Sequence, residues 1–331
     1  MTPFENYSAR RDRADGVEIV RLADAARRVE ISIAPAVGDM AYEMKVAGRN
    51  ILWFPFAGPA QAAEARVLCG IPFLGPWANR LDEDAFWANG KRYALNQSLG
   101  NLRRDANQKP IHGLLTFSKE WKLVEVQADS RCAYAASRLE FWKYPDLMAQ
   151  FPFAHAVAIT YRLAEGALEV ETTIENLSTE PMPVAVGYHP YFQVPDAPRD
   201  EWKAHVAARS HVLLNDTLVP TGEREPVRLA DPFPLAAGQL DDVFTDLERG
   251  PDGRAVFWVE GARQRVSVAY GPQYRVAVAF APRGRDFICF EPMSAVTNAF
   301  NLAHAGLYPE LQSVPAGGCW RESFWISTSG F

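Results

Sequence analysis

Two runs of alternating side chains, joined by a turn, constrain this chain more than any other feature. Val157, Ile159, Tyr161 and Leu163 occupy every second position; Glu165-Gly166 follows; Leu168, Val170, Thr172 and Ile174 then alternate again. Successive side chains of a strand point to opposite faces, so this period of two predicts a half-buried antiparallel hairpin. A second hairpin is predicted over 84–95, where Asn89-Gly90 tolerates the positive φ angles of a two-residue turn. Further strands are predicted at Val17–Leu22, Val29–Ala34, Met40–Val46, Leu123–Val126, Ala255–Glu260, Gln264–Tyr270, Tyr274–Phe280 and Glu322–Thr328. Helical periodicity is nearly absent, and Asp146–Gln150 and Ala299–Leu302 each predict a short turn of helix. The 24 prolines and 22 glycines punctuate the connections, which suits many strands joined by turns and argues against an alternating α/β fold. The expected fold is all-β, a large antiparallel sandwich in one domain over residues 1–331, a length all-β domains reach.

Composition narrows the function classes. A hydrophobic content of 48% supports a substantial core, and a net charge of −6 gives no support to nucleic-acid binding, which needs a basic face. Arg10-Arg11-Asp12-Arg13 is short and broken by an acid, and reads as a solvated end. Met1-Thr2-Pro3-Phe4-Glu5-Asn6 lacks the basic start and apolar stretch of a secretory leader, and no apolar run reaches membrane-spanning length. Cys69, Cys132, Cys289 and Cys319 are scattered without a CxxC spacing, so they read as free thiols of a cytoplasmic protein, not zinc ligands.

The chemistry concentrates in Val186-Gly187-Tyr188-His189-Pro190-Tyr191-Phe192. Aromatic faces suit the C–H surfaces of a sugar, and a histidine can pass a proton near neutral pH. Pro190 biases His189 toward extended backbone, so a strand or strand edge is expected. Four other stretches stand out. Gly70 to Leu81 is a loop shaped by two prolines and two glycines that presents Trp77, Asn79 and Arg80. Arg80 suits sugar hydroxyls as a multiple donor, or is a surface arginine in a salt bridge. His112, followed by Gly113, suits close approach to a ligand across an unobstructed backbone, or is a hydrogen-bonded structural histidine. Asp241-Asp242 suits hydroxyl binding, or caps a strand or turn. Glu291 ends the apolar run Phe287-Ile288-Cys289-Phe290, where desolvation raises a carboxyl pKa and makes it a better base; the alternative is a solvated strand end.

These fragments, in this order, resemble the aldose 1-epimerase family, the galactose mutarotase-like proteins. The resemblance runs from the Pro-Trp-Ala-Asn-Arg loop through Glu291-Pro292. It implies a β-supersandwich and an enzyme that interconverts the α and β anomers of a free hexose by acid/base ring opening and closure. It implies His189 as general acid and Glu291 as general base, with Arg80, His112, Asp241, Asn79 and Trp77 binding the sugar. Asp242 is the alternative to Asp241. Met293 replaces the glutamine often found two residues after the glutamate. Leu114-Leu115-Thr116 lacks the arginine expected of the sugar-6-phosphate branch, while Arg103 and Arg104 argue the other way. For His189 to act as the acid it must be protonated, so nearby carboxylates are expected to raise its pKa. No metal or nucleotide cofactor is required, because no redox or phosphoryl step occurs, and the expected partner is a small sugar. Rival readings are a hexose-6-phosphate epimerase, a non-catalytic carbohydrate-binding sandwich, a metal oxygenase built on His112 and His189, and a two-carboxylate glycoside hydrolase.

Overall fold

The computed structural model describes residues 6–331, so Met1 to Glu5, on which part of the leader expectation rests, lie outside the described residues. The alternating hairpin forms as predicted: His155–Ala164 pairs antiparallel with Ala167–Asn176, with Val157 opposite Ile174, Ile159 opposite Thr172 and Tyr161 opposite Val170. That row is buried throughout, and each large apolar side chain so buried stabilises the fold by roughly 1.5–3 kcal/mol. Glu165 (φ 51°) and Gly166 (φ 78°) make the turn, as do Asn89 (φ 50°) and Gly90 (φ 73°) in the hairpin Ala85–Ala88 with Lys91–Ala94.

Three antiparallel sheets carry the fold. A nine-stranded sheet has His155–Ala164, Ala167–Asn176 and Cys319–Ser329 near its centre. An eight-stranded sheet contains Leu240–Leu247, Val276–Ala281 and Ile288–Met293 side by side. The two meet through aromatic contacts, Phe257 against Phe290 and Tyr188 against Phe324. A five-stranded sheet, Tyr7–Ala14 through Arg49–Asn50, completes the set.

The differences from expectation have local causes. Arg10 to Arg13 is not a solvated end but part of the edge strand Tyr7–Ala14, paired with Val17–Asp24 through a turn at Asp15-Gly16, both at positive φ. Asp-Gly is a hairpin signal, and charged side chains are what an exposed edge strand carries. Ala133–Glu140, Ala208–Leu214 and Pro220–Pro226 are further strands without strong apolar alternation. Pro59–Ala65 is an unexpected short helix with proline in its first turn, where the missing N–H costs nothing. The helices Pro145–Gln150 and Ala299–His304 match the two expected turns. No helix is long and apolar enough to cross a membrane among the described residues.

Candidate active site

His189 lies between two short strands, Gly187–Tyr188 and Tyr191–Phe192, both paired with Ile288–Met293. Proline has no N–H to give to the ladder, so Pro190 interrupts the pairing without ending the alignment. Gly187 opposes Met293 and Tyr191 opposes Cys289, which sets His189 across from Glu291. Their side chains meet, with His189 Nε2 3.2 Å from Glu291 Oε1, both buried. His189 Nδ1 and Glu291 Oε2 have no hydrogen-bond partner within the protein.

Strand alternation divides the three aromatics of the segment. Tyr188 and Phe192 turn into the core, Tyr188 exchanging a 2.6 Å hydrogen bond with the Thr172 hydroxyl. Only Tyr191 stays on the face of His189, stacked on its ring at 4.6 Å between centroids. Gly187 is required on the same face: a Cβ there would strike the Met293 sulfur. Met293 thus packs beneath the histidine strand and is buried.

The loop from Gly75 to Leu81 docks on Pro110 to Leu114. Gly75 bridges Gly113, Arg80 bridges Ile111, and the His112 N–H donates to the Asn79 carbonyl at 2.8 Å. Gly113 (φ 63°) faces the Gly75 carbonyl, which a Cβ would overlap. Its permissiveness therefore serves contact between two loops, correcting the expectation of open backbone toward a ligand. His112 sits edge-on to His189, with centroids 5.5 Å apart. Asn79 takes the left-handed conformation (φ 54°) and its Oδ1 accepts from Arg80 Nη1 at 2.9 Å, so it positions both Arg80 and His112. Arg80 Nε donates to Asp105 Oδ2 at 2.6 Å with both side chains largely buried, so the salt bridge is present but inside the site. Asp105 gave no signal in the sequence, being 25 residues from Arg80 in an aperiodic loop. Trp77 is a correction: its side chain is 1% exposed in the hydrophobic core, leaving no open face for a sugar, while its backbone bridges Ala185.

Register separates the paired aspartates. Asp241 opposes Phe280, which opposes Cys289, and Val243 opposes Val278, which opposes Glu291. Residues in register share a face, so Asp241 lies on the face of Glu291, exposed at its rim. Asp242 points the other way, its Oδ1 3.0 Å from His211 Nε2.

Burial governs the charges. It pushes Glu291 well above the ordinary carboxylate value, the nearby Asp241 adds to this, and Arg80 opposes it. Burial drives His189 down, to about 3, with Arg103 and Arg80 acting in the same direction. The expectation that carboxylates raise His189 is therefore overturned for the empty site. Burial raises the pKa of the carboxyl beside it as well, which weakens that carboxyl's support for an imidazolium. Burial also lowers His112 well below its ordinary value, with His189 and the two arginines contributing. Among the described residues, no group of three His, Cys, Asp or Glu side chains is placed to hold a metal ion.

Residues 43–327 match the sequence profile of the family Aldose 1-epimerase. The chain belongs to the aldose 1-epimerase family. This family member is 24% identical over 223 residues to the uncharacterized Escherichia coli K12 protein YihR, covering 64% of this chain and 68% of that protein. A galactose mutarotase-like protein from Clostridium acetobutylicum superposes with a TM-score of 0.88 at 21% identity, over 98% of this chain and 99% of the other. Galactose 1-epimerase from Lactobacillus acidophilus NCFM superposes at 0.75 and 14% identity, over 98% of each chain. The aldose 1-epimerase family chain thus has the mostly β, antiparallel, galactose mutarotase-like fold expected of it.

Proposed function

We propose that this chain is an aldose 1-epimerase that interconverts the α and β anomers of a hexose through the His189–Glu291 pair. The observation that carries the reading is the 3.2 Å contact between two buried groups of opposite acid–base character. Ring opening needs one group to take the anomeric hydroxyl proton and another to protonate the ring oxygen. C1–O5 then breaks, the aldehyde rotates about C1–C2, and closure on the other face reverses the roles. A pair holding one proton between them meets both needs, and each well-placed group contributes roughly 10²–10⁴-fold. In the empty site that proton rests on Glu291. Transfer to His189 across the contact makes Glu291 the base and His189 the acid. Arg80 favours this by stabilising the carboxylate. His112 and Asp241 flank the pair as hydroxyl partners, and Asn79 holds Arg80 and His112 in place.

Catalysed loss of optical rotation from freshly dissolved α-glucose or α-galactose tests the proposal. A rate equal to the spontaneous one with these sugars and with hexoses charged at C6 overturns it in favour of a binding module, and release of aryl alcohol from an aryl glycoside would point to hydrolysis instead. Arg80→Ala is expected to raise KM by roughly tenfold, the size of a lost charge-assisted hydrogen bond, with a smaller effect on kcat. An unchanged KM places Arg80 outside the binding site. The pH profile carries a second expectation. Because His189 is pushed down to about 3, the acid limb of kcat/KM falls well below the ordinary imidazole value. A limb near pH 6.5, the value of a solvated imidazole, contradicts the buried neutral pair.

A further inference from the structure

We infer that the hexose carries an oxyanion at the end remote from its anomeric carbon, docked on Arg66, Arg103 and Arg285. This rests on the proposed epimerase reading and names its substrate class. The three arginines line one cavity of about 440 Å³ whose apolar wall includes Tyr191, Phe280 and Phe287, a size typical of small-molecule sites. The cavity adjoins the acid/base pair: Tyr191 stacks on His189, and Phe280 meets the same ring edge-on at 5.9 Å. A sugar lying on this aromatic wall can set C1 at His189 and Glu291 and its far end at the arginines.

The arginines have no anionic partner of their own. Arg103 Nη1 donates to the Arg66 carbonyl at 3.0 Å, and the Arg66 guanidinium lies 5.5 Å over Phe117. Among the described residues none of the three forms an ion pair with a carboxylate, whereas the neighbouring Arg104 pairs with Asp84 at 2.7 Å. Arg103 and Arg104 thus separate, one toward the cavity and one toward Asp84. Burial lowers the Arg103 pKa and the like charge of Arg66 adds to this. Positive charge gathered against an apolar wall, in a chain of net charge −6, raises the local concentration of anions and favours their binding. Guanidinium forks match phosphate, sulfonate and carboxylate alike.

Anomer exchange measured by NMR on one hexose in four forms, neutral and with phosphate, sulfonate or carboxylate at C6, tests the inference. The expected result is a kcat/KM at least about tenfold higher for a charged form than for the neutral one. Whichever charged form leads identifies the oxyanion. Arg285→Gln is expected to narrow that ratio about tenfold, and added salt to narrow it further. Equal or better turnover of the neutral hexose overturns the inference and leaves the epimerase reading standing. No acceleration with any form overturns the epimerase reading, and calorimetric binding then decides the cavity. Tighter binding of a charged form supports the oxyanion site, and no difference from the neutral sugar overturns it.

Discussion

Glu291→Gln is expected to remove nearly all catalysed anomer interconversion, a loss of at least about 100-fold, because the amide can neither take the anomeric proton nor share one with His189. The fold should survive. The substitution keeps the volume of a buried side chain, and burial already pushes the Glu291 pKa well above the ordinary value. The folded state therefore binds a proton at Glu291 that the unfolded chain has released, so this group costs stability as pH rises above the unfolded carboxyl value. A neutral glutamine escapes that cost. The melting temperature of the variant at neutral pH should equal or exceed that of the parent, and sugar affinity should be largely retained. Near wild-type turnover in a folded variant removes Glu291 from the mechanism.

Asp39→Asn is expected to produce the largest change in stability. Asp39 is fully buried, and burial pushes its carboxyl up from 3.8 to about 7 against the opposing effect of the Ser137 hydroxyl. Its backbone is left-handed (φ 52°), a conformation asparagine tolerates. Its backbone carbonyl, which accepts from the Tyr161 hydroxyl at 2.6 Å, is untouched by the substitution. With the folded pKa above the unfolded one, the stabilising contribution is complete below 3.8 and is lost as pH rises to about 7. Each pH unit in that window costs about 1.4 kcal/mol, at most about 4 kcal/mol in all. Urea unfolding of both proteins from pH 4 to 8 checks this. The stability of the variant relative to the parent should rise by up to that amount between pH 4 and 7. A difference independent of pH would mean that Asp39 is not held protonated by burial.

The sequence by itself determined whatever depends on neighbouring residues. Alternation from Val157 to Ile174 specified a hairpin and its buried row, Asn89-Gly90 specified a turn, and the apolar run ahead of Glu291 specified a desolvated carboxyl. Asp15-Gly16 was equally legible, and would have replaced a solvated end with a hairpin. Motif order carried the family, hence the roles proposed for His189 and Glu291. The tertiary structure decided whatever depends on pairing between distant segments. Whether His189 faces Glu291, 102 residues away by their numbers, rests on the register of strands that Pro190 interrupts. The same register put Asp241, and not Asp242, on the face of Glu291, and strand alternation left Tyr191 beside His189 while Tyr188 and Phe192 entered the core. Packing placed Trp77 inside, gave Arg80 an unforeseen partner in Asp105, and divided Arg103 from Arg104. Backbone preference and periodicity are local and can be read along the chain. Burial, and the charge state it imposes on His189 and Glu291, exist only once the sheets have closed around them.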